Sequence, residues 1–189
     1  LADVIDEFKS TGAIAKRFEA WKFKYGASYK DAFASLSLRK IIAPLIKHQL
    51  LSWNPMKDGD KAFDDLEQMA WFEQLISYGC TESDTDGEDP DVNLIPDIMQ
   101  DEIVKHKLAG LIEHVWDPLS SSQTERARRV IGRLLEDGYL SPTSPGMAEL
   151  LKAIVARLKR AVANDLFIPS FPAPLINDAA SGALKFAEQ

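Results

Sequence analysis

The stretch MAELLKAIVARLKRAV, residues 147–162, carries the clearest structural signal in the chain. Its apolar side chains recur three and four positions apart, at Met147, Leu150, Leu151, Ile154, Val155, Leu158, Ala161 and Val162. This spacing places them along one side of a 3.6-residue helix, whereas a half-buried strand would alternate apolar and polar residues. The stretch therefore predicts an amphipathic α-helix.

The same helical spacing recurs elsewhere in the chain. Residues 127–135 repeat it, as do residues 66–76 and 104–115, while residues 14–25 and 38–51 show less regular versions. The sequence contains no sustained two-residue alternation that would indicate strands. We therefore expect an all-α fold of about six or seven helices, arranged as a helical bundle or as stacked helical hairpins.

Interruptions of the helical pattern have recognisable chemistry. Asp137-Gly138 supplies a glycine that can adopt positive φ at the C-terminus of a helix. Pro44 lies within an apolar helical pattern, where the loss of its N–H costs about 3 kcal/mol, so we expect a kink or a new helix start there. Residues 81–91, TESDTDGEDPD, predict a solvated acidic loop, and residues 166–176, LFIPSFPAPLI, predict an extended proline-rich segment.

Length, charge and cysteine content limit the classes of protein that the chain can represent. At 189 residues with 46% apolar side chains, we expect one helical domain over residues 1–189. The net charge of −7 argues against a surface that attracts nucleic acid or anionic lipid as a whole. Cys80 has no intrachain disulfide partner, which favours an intracellular protein. No apolar run is long enough to span a membrane, and because the chain begins at Leu1 we expect a fragment of a longer protein.

The segment HVWDPLSSSQT, residues 114–124, combines an imidazole, a carboxylate and four hydroxyls, as a catalytic site would. Its Trp-Asp-Pro order has a counterpart in Trp53-Asn54-Pro55, however, and catalytic groups are not usually duplicated at a second helix junction. In both places a tryptophan can pack at the end of one helix, an Asn or Asp can accept backbone hydrogen bonds, and a proline can occupy a first turn. Residues 122–125 have the S-x-x-E form of a capping box. We interpret the segment as a joint between helices.

The sequence contains no motif typical of a transition-metal, calcium or nucleotide site. His48, His106 and His114 lack the i, i+4 spacing of a helical metal site, and Cys80 has no neighbouring ligand. The acidic loop imitates the first half of an EF-hand, but Asn93 stands where the bidentate glutamate belongs. Glycine-rich phosphate-binding motifs are absent from the sequence. We therefore expect no metal, no cofactor, no catalytic residues and no enzymatic activity.

Several large apolar side chains are candidates for contacts with a protein partner, because a few buried aromatic anchors carry most of the affinity of an interface. Core packing is the alternative explanation for each of them. The candidates are Trp71, Phe72, Phe167, Phe171 and Leu175.

A local excess of basic residues provides a second candidate surface. Residues 118–163 contain eight basic and four acidic side chains within a chain of net charge −7. Arg126, Arg129 and Arg133 share one face of a predicted helix. This face is either the solvated side of an amphipathic helix or a surface for RNA or an acidic partner. Base stacking is not indicated, because aromatic residues are not interleaved with these arginines.

Five blocks of sequence resemble a known family over most of the chain, from about Phe18 to Gly182. The blocks are SYKDAFASLSLRKIIAPLIKHQLLSWNP (28–55), MAWFEQLISYGC (69–80), DVNLIPDI (91–98), HVWDPLSSSQT (114–124) and NDLFIPSFP (164–172). They are similar to the helical domain of the GC-rich-sequence DNA-binding-factor-like (GCF-C) family, which includes PAX-binding-protein-like splicing factors. The resemblance implies that the chain is the N-terminal part of such a domain and that no active site is carried over.

The resemblance also implies a nuclear role in pre-mRNA splicing, in the late intron-lariat spliceosome and its disassembly. Family members act beside a tuftelin-interacting-protein-like G-patch factor, which recruits a DEAH-box helicase. The alternative is a transcription or splicing regulator that binds RNA or GC-rich DNA through its basic helix face. The acidic composition and the absence of a zinc finger or basic zipper give that alternative little support.

Overall fold

The structure is a computed structural model of the chain and describes Ile5 and residues 8–57, 66–78 and 90–164. Within those ranges the backbone forms helices and turns without any strand, which confirms the all-α expectation. The chain divides into two compact units, residues 1–157 and 158–189. The proline-rich segment at 166–176 lies outside the described residues, and so do residues 81–89 of the acidic loop.

Seven helices account for most of the described residues. In chain order they are α1 (Thr11–Lys24), α2 (Gly26–Asp31), α3 (Ala34–Gln49), α4 (Ala70–Leu75), α5 (residues 94–114), α6 (Ser121–Glu136) and α7 (Pro145–Asn164). Helix α5 consists of Leu94–Ile98, a π-helical segment Met99–Leu108 and Ala109–His114, and a 3-10 turn at Pro90–Asn93 precedes it. The two strongest sequence patterns, at 127–135 and 147–162, thus lie within α6 and α7.

Helices α3 and α5 supply much of the hydrophobic core of the first unit. Helix α3 packs against α1, α2 and α5, while α1 also packs against α4. The largest fully buried side chains on α3 and α5 are Leu38, Ile42, Ile46, Ile98, Met99, Ile103 and Leu108. Burial of each such side chain stabilises the fold by about 1.5–3 kcal/mol relative to exposure. This apolar contact fixes the relative position of the two helices.

Pro44 does not begin a new helix, because α3 continues through it from Ala34 to Gln49. Its ring lies on the exposed side of the helix, whereas Ile42 and Ile46 are buried on the opposite side. Proline cannot donate to the carbonyl of Lys40, so α3 loses one internal hydrogen bond at this point. Packing of the buried side offsets that loss and keeps the helix intact.

The helix expected over residues 66–76 is shorter than its pattern indicated. Met69 has extended backbone and serves as the N-cap of α4, which ends at Leu75. This change of register buries Trp71, Phe72 and Leu75, whereas Ile76, expected on the buried stripe, is 56% exposed.

Turn chemistry at both ends of the α6–α7 connection agrees with the sequence. Gly138 follows the end of α6 with φ of +76°, as expected of a C-terminal glycine. The backbone N–H of Leu140 donates a hydrogen bond to the carbonyl oxygen of Leu134, with an N–O distance of 2.9 Å, and this bond closes the turn. At the start of α7 the Ser144 hydroxyl accepts a hydrogen bond from Met147 N at 3.2 Å. Pro145 is then the first helical residue, where no donor is required.

Candidate interaction surface

The Trp53-Asn54-Pro55 corner directly follows α3. Its Asn54 side-chain oxygen accepts a hydrogen bond from Met56 N at 3.0 Å, and Lys57 N donates to the Asn54 carbonyl at 3.1 Å. These two bonds form a side-chain turn inside a backbone turn, for which the Asx-Pro pair is suited. Trp53 and Met56 are buried, so the turn anchors apolar side chains in the core.

An arginine from a distant helix completes this first corner. Nη1 of Arg126, on α6, donates to the Met56 carbonyl at 2.9 Å and connects positions 70 residues apart. A charged donor makes a stronger bond than a neutral one, and this guanidinium is partly shielded from solvent. Arg126 therefore holds α6 to the end of α3.

The Trp116-Asp117-Pro118 corner repeats this geometry after α5. The Asp117 carboxylate accepts from Leu119 N at 3.0 Å, and Ser120 N donates to the Asp117 carbonyl at 3.1 Å. Nε of Arg157, on α7, donates to the Trp116 carbonyl at 2.9 Å. The buried Trp116 indole also donates to the Thr124 hydroxyl at 3.2 Å. Each corner thus has a buried tryptophan, an Asx turn and an arginine from a later helix.

The start of α6 differs from the expected capping box at residues 122–125. Ser120 is the N-cap, and its hydroxyl accepts from Gln123 N at 3.4 Å. The Gln123 side chain accepts from Asp117 N at 2.8 Å, so the helix is tied back to the corner. Glu125 pairs instead with Arg128 at 2.7 Å, and this hydrogen bond lowers the pKa of Glu125. The expected box is wrong by two residues because several consecutive hydroxyls compete for the cap.

The polar groups of HVWDPLSSSQT are therefore occupied in holding the backbone. Asp117, Ser120, Gln123 and Thr124 each bond to a turn, a cap or an indole. This hydrogen bonding supports the interpretation of the segment as a joint between α5 and α6.

The aromatic candidates on α4 are part of the core. Trp71 is 0% exposed and Phe72 is 4% exposed, and their rings meet edge to face with centroids 5.5 Å apart. This burial favours core packing, the alternative explanation for both residues. The other apolar candidates, Phe167, Phe171 and Leu175, lie outside the described residues.

Helix α6 brings Arg126, Arg129 and Arg133 to one side, but intramolecular contacts use part of this charge. Arg126 is bonded to the Met56 carbonyl, and Nε of Arg133 lies 3.7 Å from an Asp137 carboxylate oxygen. Arg129 is half-buried. The three arginines therefore do not form an uncommitted cationic surface.

A buried polar cluster fixes the end of the acidic loop. Tyr29 OH donates to Asp91 at 3.1 Å, the hydroxyls of Tyr29 and Tyr78 are 2.9 Å apart, and Lys22 Nζ lies 2.9 Å from Asp91. Burial raises the pKa of both tyrosines above the ordinary value. Asp91 is only 1% exposed, so the expectation of a solvated loop extending to residue 91 is wrong at its last residue. Ion pairing offsets the desolvation of this carboxylate.

A charged cleft between α3 and α5 was not foreseen from the sequence. Its volume is about 500 Å³, and it is lined by Arg39, Lys40, Ala43, Pro44, Lys47, Asp101, Glu102, Lys105 and His106. Lys47 Nζ lies 3.1 Å from the buried Glu102 carboxylate, and Arg39 lies 3.3 Å from Asp101. Lys105 also bonds to Asp101. The sequence signal was present in the i, i+4 spacing of Asp101 and Lys105, but the opposite wall depends on tertiary packing.

Metal ligands do not cluster among the residues that the structure describes, where no group of three His, Cys, Asp or Glu side chains could hold an ion. His106 lines the cleft, whereas His114 is exposed and lies 3.9 Å from Glu113. Across the same described residues, no helix has the length and apolar character needed to cross a membrane.

Comparisons with known proteins place these features in a family context. A profile described as GC-rich sequence DNA-binding factor-like protein matches residues 11–175. PAX3- and PAX7-binding protein 1 of Homo sapiens is 36% identical over 190 residues, which cover 99% of this chain and 20% of the relative. Intron Large complex component GCFC2 of Mus musculus is 34% identical, covering 99% of this chain and 24% of the relative. Transcriptional repressor ILP1 of Arabidopsis thaliana is 36% identical, and the match covers 79% of this chain and 16% of the relative.

Proposed function

Because this chain belongs to the GC-rich sequence DNA-binding factor-like family, we propose that it is a non-enzymatic helical scaffold of a nuclear pre-mRNA splicing factor. The scaffold binds other proteins of the late, intron-lariat spliceosome and contributes to spliceosome disassembly. The observation that carries the proposal is the similarity, over 99% of this chain, to a relative named as an Intron Large complex component. The chain spans about a quarter or less of the length of the relatives it matches, so the proposal concerns this region of the longer protein.

The geometry supports binding rather than chemical transformation. Polar groups that could have formed a reactive site are occupied in the two corners, and the core holds the helices at fixed positions. Rigid helices can present a defined surface with little loss of conformational entropy on binding. We therefore assign the mechanism to protein recognition.

The expected partner is a tuftelin-interacting-protein-like G-patch factor, and through it a DEAH-box helicase. This proposal is tested by purifying the tagged full-length protein from nuclear extract at physiological salt. We expect intron-lariat RNA and late spliceosomal proteins to accompany it, and depletion of the G-patch factor to remove the helicase. Recovery of neither lariat RNA nor spliceosomal proteins would contradict the proposal.

The proline-rich segment can be tested in the same assay. Substitution of Phe167 and Phe171 by Ala is expected to reduce recovery of the G-patch factor if these rings are interface anchors. Unaltered recovery with an unchanged circular dichroism spectrum would exclude the segment from the interface. Substitution of the exposed Phe23 by Ala provides a matched control.

The second candidate function is nucleic-acid binding by the arginine face of α6, which a relative named as a transcriptional repressor favours. Contacts to phosphate release counterions, so such binding weakens steeply as salt rises. On our proposal, the purified protein without its partners retains neither RNA nor duplex DNA at physiological salt, and Arg129→Gln with Arg133→Gln does not change this result. A steep salt dependence that these substitutions reduce would favour the alternative.

A further inference from the structure

Two large apolar side chains are exposed at the N-terminal end of α3. Phe33, at its N-cap, is 71% exposed and Leu36 is 56% exposed. The spacing from Phe33 to Leu36 and on to Lys40, Pro44 and Lys47 follows one row of the helix. The row therefore begins with two exposed apolar side chains and ends in the charged cleft.

Phe33 is also conformationally costly. Its φ of +50° lies in the left-handed region, where a bulky residue is rare and costs about 1–3 kcal/mol. A residue of this kind usually recovers the cost by packing its side chain, but most of the Phe33 ring is exposed. The backbone thus holds an aromatic side chain outward at the start of the α3 row.

The cleft at the other end of the row carries more positive than negative charge. Four of its lining side chains are cationic, Arg39, Lys40, Lys47 and Lys105, and two are anionic, Asp101 and Glu102. Both carboxylates already have cationic neighbours, with Lys47 beside Glu102 and with Arg39 and Lys105 beside Asp101. Arg39 also lies 3.0 Å from Asp97, so the excess positive charge of the lining rests on Lys40. Lys40 is exposed, and the excess positive charge stands out in a chain of net charge −7. An acidic ligand is therefore attracted here and repelled by the chain as a whole.

We propose that the α3 row and the α3–α5 cleft together bind a short acidic and hydrophobic peptide segment of another protein. Its large apolar side chains pack on Phe33 and Leu36, and its carboxylates pair with Lys40 and Lys47. The inference rests on the proposed protein-binding function and names the chemistry of one partner segment.

The lining of the cleft favours a peptide over RNA. The residues described in its lining include no Phe, Tyr or Trp ring on which a base could stack, and Asp101 and Glu102 would repel a continuous phosphate backbone. The exposed side chains of Phe33 and Leu36 lie at the start of the row, before Lys40 and Lys47, where an apolar peptide side chain can pack on them.

The direct test measures fluorescence anisotropy of a labelled peptide in which Phe and Leu alternate with Asp and Glu. One control peptide carries Lys in place of every acidic residue, and the second carries Ser in place of Phe and Leu. We expect saturable binding of the first peptide only. Absence of saturation at concentrations of about 1 mM, or equal binding of all three peptides, would overturn the proposal.

Charge-reversal variants at exposed lysines test whether the loss of binding comes from the proposed surface. Lys40→Glu is expected to weaken peptide binding several-fold, because it places a like charge against the ligand. Lys152→Glu, at an exposed lysine on α7, is the charge-matched control and is expected to leave binding unchanged. Equal weakening by the control variant would show nonspecific attraction and reject the site.

Phe33→Gly removes an apolar side chain from the proposed binding surface and is expected to leave the fold intact. Glycine adopts positive φ readily and the replaced ring is mostly exposed, so the melting temperature is expected to stay the same or rise. Peptide affinity is expected to fall several-fold. Unchanged affinity would remove Phe33 from the surface, and binding of single-stranded RNA in place of the peptide would reject the assigned class of ligand.

The same charge reversal in the full-length protein distinguishes the two proposals. We expect Lys40→Glu to reduce recovery of at least one spliceosomal protein while Lys152→Glu has no effect. Full recovery with the reversed cleft would defeat the cleft proposal and leave the scaffold function intact. Failure of the wild-type protein to recover any spliceosomal component would defeat the scaffold function itself.

Discussion

The two Trp-Asx-Pro corners form the same kind of turn but contact different neighbouring residues. Each follows a long helix, buries its tryptophan and closes an Asx turn through a 3.0 Å hydrogen bond. The first corner receives Arg126 from 70 positions away, whereas the second receives Arg157 from 41 positions away and also Gln123 and Thr124 from the adjoining helix. The first corner therefore depends more on tertiary contact, and the second more on local sequence.

This difference teaches that a short turn sequence specifies only the inner part of a joint. Asn54 and Asp117 form their turns within a few residues, so the chain can make them early in folding. The arginines can act only after α6 and α7 have packed. Variants at corresponding positions in the two corners should separate these contributions.

The largest effect is expected from removing either tryptophan. Trp53→Ala and Trp116→Ala each leave a large cavity in the core and should lower the free energy of unfolding by about 3–5 kcal/mol. Urea denaturation followed by circular dichroism measures this loss, and Trp→Phe at each position gives a milder second variant. A loss below about 1 kcal/mol at either corner would show that its tryptophan does not anchor the joint.

The next effect concerns the two arginines that cap the corners. Arg126→Met and Arg157→Met retain much of the aliphatic volume but leave a carbonyl without its charged donor, at a cost of about 1.5 kcal/mol. Arg128→Met is the control, because Arg128 is highly exposed and solvent screens its pair with Glu125. Equal losses for all three variants in urea denaturation would refute the assigned role of the corner arginines.

A smaller change is expected to affect only the second corner. Thr124→Val removes the hydroxyl that accepts the Trp116 indole N–H and should cost about 1 kcal/mol. In the background of Trp116→Phe, which lacks the indole N–H, the same substitution should cost much less. A double-mutant cycle measured by urea denaturation tests this coupling, and additive losses would contradict it.

The smallest effect is expected from exchanging the Asx residues. Asn54→Asp and Asp117→Asn keep the side-chain oxygen that accepts the turn hydrogen bond, so each should change the unfolding free energy by less than about 0.5 kcal/mol. Asn54→Ala and Asp117→Ala should each cost about 1 kcal/mol because the acceptor is lost. If the exchanges cost as much as the alanine variants, charge rather than turn geometry would decide the corner.

Features that arise from neighbouring residues could be predicted from the sequence. The apolar spacing of α6 and α7, the glycine after α6 and the Trp-Asx-Pro corners all depend on interactions within a few positions. Prediction from neighbouring residues fails where several residues could take the same role. Before α6 several consecutive serines could cap the helix, and Ser120 rather than Ser122 does so. Such prediction also fails at α4, where extended backbone at Met69 changes which residues are buried.

Features that depend on distant residues could not be predicted. Asp91 belongs to a run of acidic residues, and only its meeting with Lys22 and Tyr29 makes its burial possible. The α3–α5 cleft likewise requires two helices to pack before Lys47 and Glu102 can meet. Packing also decides that α3 continues through Pro44, against its local propensity.

The central claim is that the corners are joints and that the protein acts by binding through other surfaces. The most direct measurement compares recovery of intron-lariat RNA by tagged full-length wild-type protein and by the Asn54→Ala, Asp117→Ala double variant, at a temperature where both are folded. We expect recovery by wild type and recovery within about twofold by the variant, since the loss of two turn acceptors lowers stability without altering a binding surface. Loss of the lariat from a variant that retains its helical circular dichroism would place the corners in the contact itself and contradict the account.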